Sequence, residues 1–128
     1  MGAFMGKSIL RAFALGLAMF CAVAPAAAQN EDFYRMQFNS TVTEFNKVVD
    51  RINELKTDMK TEHDFARGCS LLSSLISYMA DAQILSEKLA DYAYRIDDME
   101  GHRLAVDQHN AYLEERHFWE GERSRLCS

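Results

Sequence analysis

The chain has 128 residues, with 14 Lys and Arg against 19 Asp and Glu, 48% hydrophobic residues, 6 Gly, 1 Pro and 3 Cys. That length holds one domain, and the few glycines and prolines exclude collagen-like, linker-like and β-rich repeat architectures. The apolar fraction excludes wholesale disorder, and a net charge of −5 excludes a nucleic-acid binder, which has to neutralise phosphates.

Residues 1–28 differ in style from the rest. Lys7 and Arg11 are the only charged side chains before Glu31, and Ala12 to Ala28 is an unbroken run of apolar or small residues closing on Pro25-Ala26-Ala27-Ala28. A basic start, a short apolar stretch and a small-residue exit are the three parts of a secretory signal peptide. Ala26 and Ala28 fill the −3 and −1 positions, so cleavage is expected before Gln29. The alternative is a retained anchor, but seventeen residues is short for a spanning helix and the Pro25-alanine exit suits cleavage. Cys21 follows Phe20, where a lipobox has a small residue, so the lipoprotein reading is weak. The compact, alanine-rich leader is bacterial in style and predicts a periplasmic or secreted protein with no stable membrane insertion after cleavage.

Residues 29–128 then form a single domain with twelve Lys and Arg against all nineteen acids, three glycines and no proline. Several short strands would need turn signals about every 8–12 residues, and these are absent, so the spacing predicts an all-α fold with few, long helices. A 4-3 spacing from Phe38 lands on Phe38, Val42, Phe45, Val49, Ile52, Lys56 and Met59, six apolar out of seven, in a first helix from about Glu31 to Lys60. Thr61-Glu62-His63-Asp64 reads as a capping box with Thr61 as N-cap, which starts a second helix near Glu62. Its seam, Leu71, Leu75, Tyr78, Ala82, Leu85, Leu89, Tyr92, Ile96 and Met99, is apolar throughout, and Phe65, Cys69, Leu72, Ile76 and Met79 add a second stripe. A helix apolar on two faces touches two partners, so the second helix is expected at the centre. Asp97, Asp98 and Glu100 suit a helix start better than a helix end, which places the next break within 97–101. In the third helix, His102 to Arg125, one side collects Leu104, Ala111, Tyr112, Phe118, Trp119 and Leu126 as the expected core face. The opposite side, with His102, His109 and His117, reads as solvated. The result is an up-down three-helix bundle or a long helical hairpin with a third helix, or half of a larger bundle formed by dimerisation.

Cys69 and Cys127 remain after cleavage. About 28 residues up the second helix and 25 down the third give roughly 42 and 38 Å. In an antiparallel pair the two sulfurs arrive at the same level, and a structural disulfide is predicted.

Little else carries chemistry. His109, Glu114 and His117 are the metal-ligand candidates, and Glu114-x-x-His117 matches half of a di-iron bundle signature, but no second ExxH is present. No CxxCH, GxSxG or glycine-rich phosphate loop occurs, so neither a cofactor nor an enzymatic activity is expected. Two functional classes follow. One is a non-enzymatic protein- or peptide-interaction module of the cell envelope, pairing with another envelope protein or with itself through spare aromatic positions (Phe33, Tyr34, Tyr94, Trp119). The other is a small-ligand or metal-binding bundle using the histidine face of the third helix.

Overall fold

The computed structural model describes residues 29–128, and the leader assigned to 1–28 lies outside them. The described residues form three helices and no strands: α1 over Gln29–Thr61, α2 over Phe65–Arg95 and α3 over Met99–Leu126. Their directions follow from cross-helix pairs. Arg95 of α2 reaches Tyr34 of α1 at 3.2 Å, and Arg51 of α1 lies 5.9 Å from the Tyr78 ring of α2, so α1 and α2 are antiparallel. His102 of α3 bonds Ala90 of α2 and Cys127 joins Cys69, so α3 turns back along α2. The path is up, down, up, with α2 packed against both neighbours.

α1 buries the stripe its sequence announces. Phe38, Val42, Phe45, Ile52 and Met59 are buried and Val49 is half-buried. Lys56, the polar member of that seam, is buried as well. Its ammonium donates to Glu115 Oε1 of α3 at 2.8 Å, which lets a charge occupy a core position. α1 and α3 thus meet through long side chains, with the Phe45 ring edge-on to Tyr112 at 6.0 Å. α2 buries most of both its stripes, from Leu72 to Ile96. Phe65 and Met99, placed on those stripes by spacing, are exposed because α2 begins at Phe65 and ends before Met99.

Both turns fall slightly away from the expected positions. The N-cap of α2 is Asp64 rather than Thr61, which closes α1. The Asp64 carboxylate accepts from the Arg67 amide at 2.9 Å, and Glu62 accepts from both the Asp64 amide and the Arg67 guanidinium. An aspartate caps at least as well as a threonine, and Glu62 closes the loop behind it. At the second turn the break occupies residues 96–98. Asp97 sits at φ 60°, its amide bonds Tyr94 O, and the Asp98 amide bonds Ala93 O, the double closure of a Schellman motif. Asp98 then caps α3 through the Gly101 amide at 3.0 Å. An L side chain in the left-handed region is strained and glycine is not. Asp97→Gly is therefore expected to raise the unfolding free energy by about 0.5–1 kcal/mol in denaturant melts.

α3 departs most from expectation. Its buried residues are Gly101, Ala105, Gln108, Tyr112 and Trp119, a seam of small and polar residues punctuated by two aromatics. Of the expected core face only Tyr112 and Trp119 are buried. Leu104, Ala111 and Leu126 are half-buried and Phe118 is exposed. The Tyr112 hydroxyl is buried and meets no hydrogen-bond partner. Burial pushes its pKa well above the usual phenol range, and the nearby Glu115 carboxylate pushes the same way. A desolvated hydroxyl without a partner destabilises. Tyr112→Phe keeps the ring against Phe45 and should raise stability by about 1 kcal/mol in chemical denaturation.

Candidate functional site: the aromatic end

The exposed apolar surface is unevenly distributed. Phe33 (52% exposed), Met36 (63%), Tyr94 (62%) and Met99 (48%) are four of the eight large hydrophobic side chains that remain exposed among the described residues. All four lie at the end where α1 starts, α2 ends and α3 begins. Helical phase explains why they are left outside: each stands off its helix's buried stripe.

Side chains at this end contact one another across the helices. The Arg95 guanidinium lies 4.9 Å from the Tyr34 ring centroid. It donates to the Tyr34 hydroxyl at 3.2 Å and through Nε to Asp91 at 3.0 Å. The Asp91 hydrogen bond, then its charge, raises the Arg95 pKa, so the residue stays cationic. Tyr34 also packs against Tyr92 at 6.3 Å and takes the Phe33 ring edge-on at 5.4 Å. Across the end, Tyr94 meets His102 edge-on at 5.7 Å. A cation over a ring and edge-on aromatic pairs hold this end in one arrangement before any partner arrives. Such preorganised aromatic surface is what recognition sites use for anchoring at low entropic cost.

The aromatic positions singled out by sequence therefore divide. Phe33 and Tyr34 are in contact on the α1 side of this end and Tyr94 lies at the same end against His102 of α3, whereas Trp119 is buried in the core near the opposite end. Arg95, which ties Tyr34 to α2, carried no sequence signal beyond its place in the last turn of α2.

Of the histidine face expected in solvent, His117 is exposed but His102 and His109 are not. His102 Nδ1 lies 2.8 Å from Ala90 O and His109 Nδ1 lies 3.0 Å from Gln83 O, and both rings are half-buried against α2. A carbonyl only accepts, so each Nδ1 carries a proton. The seven-residue step between the histidines matches the seven-residue step between the carbonyls, and that spacing was the visible sign. His117 and Glu114 are exposed, so His109, Glu114 and His117 are not gathered into one ligand set. Among the described residues no group of three His, Cys, Asp or Glu side chains could hold a metal ion. His109→Ala breaks a main-chain contact and is expected to cost about 0.5–1.5 kcal/mol by urea melt, more than a surface substitution would.

Cys69 and Cys127 are joined, with Cα atoms 5.9 Å apart. No described helix is long and apolar enough to cross a membrane. No protein-family model, curated protein or solved structure matches the chain.

Proposed function

We propose that this chain is a non-enzymatic interaction module of the bacterial cell envelope, exported by its leader and binding another protein or a peptide through the aromatic end. The observation that carries the reading is that Phe33, Met36, Tyr94 and Met99, half of the exposed large hydrophobic side chains among the described residues, lie at one end of the bundle. Exposed apolar clusters with a polar rim mark contact surfaces. Export is supported by the Ala26-x-Ala28 exit and by the Cys69–Cys127 bond, which an oxidising compartment forms and keeps. The acidic balance of residues 29–128 argues against nucleic acid.

Affinity capture from periplasmic extract, with wild type beside Phe33→Ser/Tyr94→Ser, tests the reading. The wild type should retain a discrete partner that the double variant loses while both melt at the same temperature. A partner held equally by both proteins would move the contact elsewhere. Intact mass of the exported protein should start at Gln29, and a chain retaining Met1 in the membrane fraction would overturn the export reading.

A further inference from the structure

A second surface runs along the joint between α1 and α2, one face away from α3. Val48 of α1 and Ile84 and Leu85 of α2 floor a shallow groove, with Glu44 on the α1 wall and Asp81 on the α2 wall. Ile84 is 56% exposed in mid-helix, where nothing in the fold needs an isoleucine. Neither Glu44 nor Asp81 is in an ion pair with a described residue, although most arginines of the bundle are paired with acids of their own helix. The groove thus combines an apolar floor with two carboxylates on opposite walls that make no ion pair with a described residue. Lys88, one turn on from Ile84 toward the aromatic end, marks the limit of this acidic stretch.

A lysine or arginine fits that combination. Its methylene stem lies on apolar surface while its cationic head stays between carboxylates. Val48 is fourteen residues along α1 from Tyr34, roughly 21 Å at helical rise, so one amphipathic helix of about four turns spans from the groove to the aromatic end. A second copy of this chain is a poor occupant, because its own surface carries excess negative charge.

The geometry points to a basic amphipathic helix as the partner, laid along the α1–α2 joint with a Lys or Arg seated between Glu44 and Asp81. This assignment rests on the interaction reading above and adds the chemistry of the partner and a second contact region. Charge complementarity of this kind gives specificity and a salt-dependent association.

Fluorescence anisotropy with a labelled helical Leu/Lys peptide of about sixteen residues, and a Leu/Glu peptide of the same pattern, tests it on the oxidised, folded protein. The Lys peptide should bind more weakly as salt rises, and the Glu peptide should not bind. Glu44→Gln/Asp81→Asn should weaken binding by roughly threefold to tenfold, and Ile84→Ser should weaken it further. Asp50→Asn/Glu54→Gln, on the outer face of α1, should leave it unchanged. Each variant is first checked for unaltered melting. Equal binding by wild type and Glu44→Gln/Asp81→Asn overturns the groove assignment. If Phe33→Ser/Tyr94→Ser still abolishes that binding, the aromatic end keeps its role while the groove loses its own. No binding of the Lys peptide by wild type, equal binding of the Glu peptide, or preference for anionic phosphatidylglycerol vesicles overturns the basic-helix assignment. The capture experiment on the aromatic end is independent of all of these.

Discussion

Breaking the Cys69–Cys127 bond is expected to lower the unfolding free energy by about 4 kcal/mol. The two cysteines are 58 positions apart, and in the chain-entropy account a cross-link of that span removes much of the freedom of the unfolded chain. A domain of this size is stable by only about 5–15 kcal/mol, so the loss is a large fraction of the whole. The bond also secures the last turn of α3, where Cys127 is the C-cap and packs against the core. Trp119, two turns earlier and the only tryptophan, is buried, so its fluorescence follows unfolding. Guanidinium melts of wild type with and without reductant, and of Cys127→Ser, should agree on the size of the effect. A change under about 1 kcal/mol would mean that the α2–α3 pairing hardly depends on the cross-link.

Leu89→Ala is expected to cost about 2–5 kcal/mol. Leu89 is fully buried in α2, the helix that touches both neighbours, so truncation leaves a cavity in the bundle's interior. The cost depends on how far the neighbours collapse. Leu85 and Ala93, one turn either side along the same helix and also buried, give little room to relax. Set beside His109→Ala, the contrast separates a packed core position from a half-buried hydrogen bond on the α2–α3 joint. Equal effects at the two sites would show that α3 depends on its histidines as much as the bundle depends on its leucines.

How far the fold could be read from sequence depended on the chemistry of each contact face. In α1 and α2 that face is apolar and periodic, so Phe38 to Met59 and Leu72 to Ile96 announced themselves. Lys56 interrupts the apolar seam of α1, and its partner Glu115 lies 59 residues away, so no local pattern could name the pair. α3 is poorly legible because its contact face is Gly101, Ala105, Gln108, Tyr112, Glu115 and Trp119, in which small and polar side chains stand where hydropathy looks for leucine. Its large apolar residues Leu104 and Phe118 lie on the flank and drew the assignment toward themselves. For the same reason the pattern points His102 and His109 toward solvent, whereas each bonds a carbonyl of α2. The disulfide was legible because it needs only helix lengths. The aromatic end was half-legible: Phe33, Tyr34 and Tyr94 were named, but that they share one end follows only from the antiparallel path of α1 and α2.

The claim that this bundle works through its aromatic end is tested most directly by site-specific photocrosslinking in living cells. A photoreactive residue is placed at Met36, exposed at that end, or at Ser73, exposed far down α2. The account predicts a discrete higher-mass adduct from position 36, none from position 73, and loss of the adduct when Phe33→Ser/Tyr94→Ser is added. Adducts of equal yield from both positions, or none from position 36, would contradict it.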